Sequence, residues 1–111
     1  MPFIDPSEML QGSPLDGWTG RFFHSSNMTF AYWDIADGAA DLHEHGHEQE
    51  EVWHIIEGEI ALTVEGEERR LRPGMAAIVP SNAHHSARVL GPCRALVADY
   101  PLRPNLPGGG N

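Results

Sequence analysis

The amino-acid sequence predicts an all-β protein, folded as a sandwich or barrel with little helix. Short runs rich in aromatic and β-branched residues recur along most of the chain. Glycine, proline and asparagine separate these runs at fairly even intervals, for example at Gly38, Gly58, Gly66 and Gly91. Only one short stretch carries signals for the start of a helix. Many short strands with regular punctuation are typical of a β-sandwich or a β-barrel.

The stretch DPSEML, residues 5–10, predicts one helical turn. Asp5 is a suitable N-cap, Pro6 fits the first helical position, and Glu8 lies three residues after the cap. MTFAYWDI, residues 28–35, then predicts a strand, because it is rich in aromatic and β-branched residues. One face of that strand should line the core, and the sequence leaves open which face this is.

EIALTVEG, residues 59–66, alternates strictly between apolar residues on one face and mostly small or polar residues on the other. This alternation predicts a strand that is half buried. Three further runs, MAAIVP, HSARVL and CRALVADY, predict strands at residues 75–80, 85–90 and 93–100. RPNLPGGGN, residues 103–111, has too little apolar content to pack.

A chain of 111 residues suits a single domain spanning 1–111, with a core of about 18–103 and a tail at 104–111. The formal net charge of −9 argues against nucleic acid and against an anionic membrane surface as partners. No stretch is typical of a secretory signal, so we expect a cytoplasmic protein. Cys93 is the one cysteine, and we expect it to be a packed thiol.

The densest chemistry lies in HEHGHEQEEVW, residues 43–53. On an extended strand, His43, His45 and His47 would share one face, because side chains alternate. Glu51 continues this parity if the chain stays extended. A fourth histidine would complete a metal site, and the pair His84–His85 is its obvious source. Imidazoles and carboxylates are ligands for zinc, copper, nickel, iron and manganese. The alternative is an acidic, solvated loop.

The spacing of these residues resembles that of the cupin superfamily, and specifically of its small single-domain members. His45, His47, Glu51 and Gly58 fit the first cupin motif, G-x5-H-x-H-x3,4-E-x6-G, after its leading glycine. Gly74, Pro80 and His85 fit the second, G-x5-P-x-G-x2-H-x3-N. The resemblance covers about residues 38–103.

Three positions depart from the motifs. Gly38 lies seven residues before His45 and five before His43, which leaves a rival register with His43 and His45 as ligands. We prefer His45 and His47, because this register keeps both intervals around Glu51. Asn82 replaces a glycine and tolerates the left-handed backbone of a tight turn. Val89 replaces the final asparagine.

The resemblance implies a cupin-type double-stranded β-helix or jelly-roll barrel. It implies one divalent transition metal, Fe, Mn, Ni or Zn, held in the barrel mouth by His45, His47, Glu51 and His85. It suggests Asp99 as a proton shuttle and Arg103 as a carboxylate clamp, although a structural ion pair is an equal alternative.

For function, the resemblance favours a metalloenzyme of dioxygenase, isomerase or lyase type acting on a small molecule. The alternatives are a non-catalytic module that binds a metal or small ligand, and a site that binds nothing. It also implies a homodimer. Large apolar residues in GWTGRFFHSSNMTFAYW, residues 17–33, support this, because a small barrel cannot bury all of them.

Overall fold

The computed structural model describes residues 3–104, which form eight antiparallel strands after one short 3-10 helix, Pro6–Glu8. The strands run in chain order as β1 Leu10–Leu15, β2 Trp18–His24, β3 Thr29–Ile35, β4 Leu42–His45, β5 Glu50–Val64, β6 Glu67–Leu71, β7 Ala76–Val79 and β8 His85–Tyr100. The main path of hydrogen-bonded neighbours is β1-β2-β3-β8-β5-β6, with β4 added to β8 and β7 added to β5. The all-β prediction is confirmed.

The two long strands, β5 and β8, pair along nearly their whole length and bend together near their middle. Their register shifts on either side of Gly58, which has φ 76°. A Cβ built on Gly58 would lie 2.0 Å from the carbonyl oxygen of Pro92, so only glycine fits this close approach. Beyond the bend, β3 and β7 pair with one half of the hairpin, while β4 and β6 pair with the other. The result is a two-layered jelly roll.

The core fills the space between the layers and is richest in aromatic rings. Trp18 packs edge-on against Trp33 and Trp53, with ring centroids 5.7 and 6.3 Å apart. Phe22 is fully buried and packs edge-on against Trp33 at 5.3 Å. Trp18 and Phe22 are therefore the large apolar residues of the segment 17–33 that are buried most fully in the core.

The structure also shows the helix cap, the inner face of β3 and the environment of Cys93. Asp5 caps the 3-10 helix in a capping box with Glu8, as predicted. The core-lining face of β3 is the one that carries Ala31 and Ile35. Cys93 is buried in the core, and burial raises the pKa of its thiol to about 11.

The sheet of the structure extends beyond the core predicted from the sequence. The sheet begins at Leu10, upstream of the expected core of 18–103, but β1 is mostly exposed and the buried core itself begins at Trp18. The predicted tail, 104–111, lies outside the described residues except for Pro104. Within 3–104, no helix has the length and apolarity that crossing a membrane requires.

Candidate metal centre

The polar side chains of interest meet at the end of the barrel opposite the bend in β5 and β8. His85 begins β8 and pairs in register with His45, the last residue of β4. Glu51 near the start of β5 pairs with Asp99 near the end of β8. Because both long strands fold back at the bend, their two far ends meet between the layers. We refer to this region as the mouth.

The expectation that His43, His45 and His47 share one face is wrong. The register of β4 against β8 shifts between Leu42 and His45, so side chains do not alternate simply along this stretch. His43 is exposed, and only its backbone carbonyl reaches the site, where it bonds to His45. The rival register with His43 as a ligand has no geometric support.

His47 comes from the loop after β4 and not from the strand itself. Its backbone carbonyl accepts a 2.7 Å hydrogen bond from the amide of Asn82, which ties this loop to the turn before β8. Asn82 has φ 65°, the left-handed conformation expected from its place in the second motif. A Cβ on Gly46 would lie 3.0 Å from the His84 ring and 3.4 Å from the Asn82 carbonyl. The absence of a side chain at Gly46 therefore lets the two loops pack closely.

All three histidines of the mouth are oriented in the same way. The Nδ1 atoms of His45, His47 and His85 bond to the backbone carbonyls of His43, Gln49 and Ala83, at 2.8, 3.1 and 3.2 Å. A carbonyl can only accept, so each Nδ1 carries the proton. Each Nε2 is then unprotonated and carries a lone pair, which is the arrangement that metal-ligating histidines adopt.

The ligand atoms of His45, His47 and His85 lie within 4.8 Å of one another, which is close enough for one ion to bind all three. The His45 and His85 rings are 4.3 Å apart between centroids, and the His47 and His85 rings are 5.1 Å apart. His85 is 1% exposed, and its Nε2 is buried without a hydrogen-bond partner among the described residues. A buried polar atom without a partner is costly, and a bound cation would satisfy it.

Glu51 supplies the carboxylate beside these rings. Its Oε1 lies 3.3 Å from His85 Nε2, and its Oε2 lies 3.5 Å from His47 Nε2. The indole Nε1 of Trp53 donates a 2.7 Å hydrogen bond to Oε1. Burial raises the pKa of Glu51, but the polar contacts with His47, His85, Asp99 and Trp53 outweigh it and hold the pKa well below its usual range. Glu51 is therefore ionised at neutral pH and is a candidate ligand.

The pKa values of His45 and His85 are shifted in opposite directions. Burial lowers the pKa of His45. Burial also acts to lower the pKa of His85, but the negative charge of Glu51 outweighs it, so that pKa is raised. Glu51 thus stabilises the protonated form of His85. A cation that binds beside Glu51 would have to displace that proton.

Asp99 and Arg103 lie against this set. Arg103 is 7% exposed, and its Nη1 lies 3.3 Å from Asp99 Oδ2, 3.5 Å from Glu51 Oε2 and 3.5 Å from His47 Nε2. Asp99 Oδ1 is buried with no hydrogen-bond partner in residues 3–104. Burial and the charge of Glu51 raise the pKa of Asp99 to about 8, against the opposing charge of Arg103.

The geometry contains a second group of potential ligands, formed by His47, Glu51 and Asp99. The guanidinium of Arg103 already contacts all three of these side chains. Its positive charge therefore takes the place that a metal ion would have in this group. The three imidazoles with Glu51 form the better metal centre. Three nitrogen donors and one carboxylate fit a divalent transition metal.

Comparisons with known proteins agree with this geometry. A family model described as "Cupin domain" matches residues 31–99, which include all four candidate ligands and Asp99. The chain belongs to the cupin family. This confirms the resemblance inferred from the two motifs. None of the curated protein sequences compared with this cupin matches it significantly.

Solved structures of similar fold cover almost the whole chain. An RmlC-like cupin from Shewanella frigidimarina has a TM-score of 0.85 at 19% identity, over 95% of each chain. KdgF from Halomonas sp. has a TM-score of 0.84 at 23% identity, over 95% of this chain and 97% of its own. TT1209 from Thermus thermophilus has a TM-score of 0.74 at 28% identity, over 93% of this chain and all of its own. At these identities, the first two similarities establish the fold alone.

The structure also places polar residues at the mouth that the sequence did not single out. Trp53 lies in the core, and its indole also donates a hydrogen bond to Glu51. Trp53 lies two residues after Glu51, and this spacing puts both side chains on one face of a strand. The spacing is the feature of the sequence that indicates their contact. Thr29 and Gln49 are buried nearby, and nothing in their sequence context marks them.

Proposed function

We propose that this cupin binds one divalent transition metal through His45, His47, Glu51 and His85, and acts on a small molecule by moving a proton. The observation that carries the proposal is the common orientation of the three imidazoles, each with Nδ1 held by a backbone carbonyl and Nε2 unprotonated. Such an arrangement is costly without a cation, because one of these Nε2 atoms is buried with no partner among the described residues. A bound ion would supply Lewis acidity toward an oxygen of the substrate.

Asp99 is the residue we assign to proton transfer. Its Oδ1 is buried, has no partner among the described residues, and lies on the carboxyl group beside Glu51 and Arg103. Sheet pairing of Asp99 with Glu51 and with Thr29 fixes its backbone in the centre of a sheet. A carboxyl group held rigidly, with one oxygen free, can take a proton from a bound molecule and return it. This supports isomerase or lyase chemistry over dioxygenation.

Arg103 is the residue we assign to substrate binding. The charge of Arg103 offsets that of Glu51, so a divalent ion leaves the mouth with a net positive charge even when Asp99 is ionised. Buried charge of one sign is costly unless it is paired, so the mouth favours an anionic small molecule. Planar guanidinium groups bind carboxylates well because two N–H groups can donate in parallel. We therefore propose a small carboxylic acid as the substrate class.

Proton transfer can be tested before the full reaction is known. Metal-loaded protein is incubated in D2O with a panel of small hydroxy, keto and sugar acids, and exchange of carbon-bound hydrogen for deuterium is followed by NMR. We expect exchange in at least one acid, loss of exchange in Asp99→Asn, and unchanged exchange in the exposed control Asp37→Asn. Binding of acids without any exchange would contradict catalysis and favour the alternative of a non-catalytic binding module.

We also propose that two copies of the chain pair through the outer face of the layer that contains β2, β3, β7 and the paired halves of β5 and β8. Cross-strand pairing aligns one apolar row over five adjacent strands, with about 4.8 Å between neighbours. Its members are Phe23, Phe30, Ala98, Val52 and Ile78. Ile78 is 63% exposed, and the rings of Phe23 and Phe30 stack at 5.0 Å. With Tyr32 and Leu96 beside it, the row forms a contiguous, partly exposed apolar patch, which is typical of an interface.

A second copy is the occupant that suits this patch, because a two-fold axis places the same apolar row on both sides. Light scattering should give about 24.4 kDa, twice the chain mass of 12.2 kDa. Ile78→Glu should give the mass of one chain, whereas Leu10→Glu, on the edge strand β1, should not. A single-chain mass for the unaltered protein at micromolar concentration would contradict the dimer.

A further inference from the structure

Thr29 is a fully buried polar side chain at the mouth that is not a candidate ligand. It pairs with Asp99 across β3 and β8, and Asp99 pairs with Glu51 across β8 and β5, so the three residues lie in one row across the sheet. The Thr29 side chain is 0% exposed. Its hydroxyl accepts a 2.7 Å hydrogen bond from the backbone amide of Arg103 and lies 2.8 Å from His24 Nδ1, to which it can donate.

Arg103 needs such a contact because it follows the last strand. β8 ends at Tyr100, so no sheet hydrogen bonds hold the segment 101–103. Two buried side chains bind its backbone instead. Thr29 accepts from the amide of Arg103, and Gln49 Nε2 donates to the carbonyl of Leu102 at 3.4 Å. The shorter of the two contacts is made by Thr29.

These contacts decide where the guanidinium lies. Arg103 Nη1 faces Asp99, Glu51 and His47 at 3.3–3.5 Å, although the residue lies in a segment outside the sheet. Its Nε and Nη2 make no protein hydrogen bond among residues 3–104 and can take an anion. Without the Thr29 hydroxyl, the Arg103 amide would be left unpaired in a buried place, and the segment would move to reach water.

We infer that Thr29 is a positioning residue, whose hydroxyl fixes the backbone of Arg103 and thereby sets the affinity of the mouth for a small carboxylate. The role of Arg103 toward the carboxylate rests on the proposed function, but the fixing of its backbone does not. Thr29→Val keeps the shape of the side chain and removes the acceptor. Thr29→Ser keeps the hydroxyl and is the matched control.

The first measurement needs no metal. Amide hydrogen exchange at Arg103 is followed by NMR in metal-free protein. We expect exchange at least about tenfold faster in Thr29→Val than in the unaltered protein, and within about threefold of it in Thr29→Ser. His24→Ala, which removes the other partner of the hydroxyl, should leave the Arg103 amide protected. Equal exchange in Thr29→Val and in the unaltered protein would overturn the inference. Should Thr29→Val not fold, Thr29→Cys replaces it, with the same expectation.

The second measurement uses oxalate as a probe of the protein loaded with Co²⁺, with binding followed by the visible absorption of the ion. We expect Thr29→Val and Arg103→Met each to weaken oxalate binding about tenfold, with Thr29→Ser close to the unaltered protein. The double variant should bind no more weakly than Arg103→Met, because both changes remove the same interaction. Additive losses would show that Thr29 acts independently of Arg103 and would overturn the inference.

Co²⁺ affinity itself should change by less than about threefold in Thr29→Val, because Thr29 contacts no ligand. If the unaltered protein does not bind Co²⁺, the proposed function fails, and the exchange measurement alone decides the role of Thr29. If Co²⁺ binds and oxalate does not, the substrate class is wrong, and the exchange measurement again decides. Failure of the two proposals is thus distinguishable.

Discussion

The two ends of the barrel both bring acids and an arginine together, but they differ in burial. At the bend, Arg94 pairs with Asp34 at 2.8 Å and with Glu57 at 3.3 Å, and all three side chains are more than 40% exposed. At the mouth, the Arg103 side chain is 9% exposed and lies 3.3–3.5 Å from the carboxylates of Glu51 and Asp99. The distances are similar, whereas the environments are not.

The bend also has an obvious groove of about 500 Å³. Its lining includes the exposed ion pairs, and the nearby thiol of Cys93 has a pKa raised by burial to about 11, so it is not a nucleophile at neutral pH. The mouth has what the groove lacks, namely buried polar atoms without partners among the described residues, at His85 and Asp99. Buried and unsatisfied polar atoms therefore favour the mouth over the groove as the candidate functional end.

The largest expected difference between the ends concerns metal affinity. His85→Ala should weaken Zn²⁺ binding at pH 7.5 by at least about 100-fold, because even residues that only support a ligand change affinity by 10- to 100-fold. Arg94→Ala at the bend and His54→Ala on the exposed face of β5 should change it by less than about twofold. Isothermal titration of metal-free protein measures all three. A comparable loss in Arg94→Ala would mean that the mouth does not hold the ion.

The next effect concerns backbone strain at the bend. Gly58→Ala forces a Cβ to 2.0 Å from the Pro92 carbonyl oxygen at φ 76°, so we expect a loss of about 3 kcal/mol in the free energy of unfolding. Gly38→Ala is a matched control, because Gly38 has φ 75° with no atom within 4 Å of the added Cβ, and it should cost about 1 kcal/mol. Urea unfolding gives both values. Equal losses would show that the bend is not tightly packed.

Another effect is a pH dependence of stability that the mouth should show. The pKa of Asp99 is raised to about 8 in the folded protein, above its unfolded value near 4, so the folded state keeps a proton that the unfolded state loses. Its contribution to stability is fully present below pH 4 and declines by at most about 1.4 kcal/mol per pH unit as pH rises toward 8. Asp99→Asn should remove this decline.

Urea unfolding of metal-free protein at pH 5, 6.5 and 8 tests this directly. Asp99→Asn should gain stability relative to the unaltered protein as pH rises, whereas the exposed control Asp37→Asn should not. A constant difference between Asp99→Asn and the unaltered protein across this range would show that Asp99 is already ionised at pH 5.

The smallest effect is expected for the exposed ion pairs of the bend. Arg94→Ala removes both contacts, yet the free energy of unfolding should fall by about 0.5 kcal/mol, because solvent and salt screen exposed charges. Urea unfolding in low and high salt would detect the effect, which should disappear in high salt. A loss above 2 kcal/mol would mean that the two ends differ less than their burial suggests.

The sequence predicts the fold well because the relevant signals are local. Strand patterns, turn residues and the two motifs each depend on a few neighbouring positions, and the structure confirms the all-β cupin fold. The order of His45, Glu51 and His85 along the chain also anticipates which side chains meet, since their ligand atoms or contacts converge at the mouth.

The failures come from features that are not local. The simple alternation expected for His43, His45 and His47 ignores the register shift in β4, which only the pairing with β8 reveals. The sequence left open which large apolar residues of 17–33 are buried, because the burial of Trp18 depends on how it packs against Trp33 and Trp53. The contact between Thr29 and Arg103 joins residues separated by 74 positions, and no spacing rule could have found it.

The most direct test of the metal centre is equilibrium dialysis of tag-free protein, first stripped by a chelator, against Zn²⁺ at pH 7.5 and pH 5.5. The bound state keeps three imidazoles unprotonated, and free histidine titrates near 6.5, so protons compete as pH falls. The raised pKa of His85 moves the onset of this loss to higher pH. We expect one ion per chain at pH 7.5, with affinity reduced at least about 100-fold at pH 5.5. Binding of less than a tenth of an ion per chain at pH 7.5, or equal affinity at both pH values, would contradict a centre built on His45, His47 and His85.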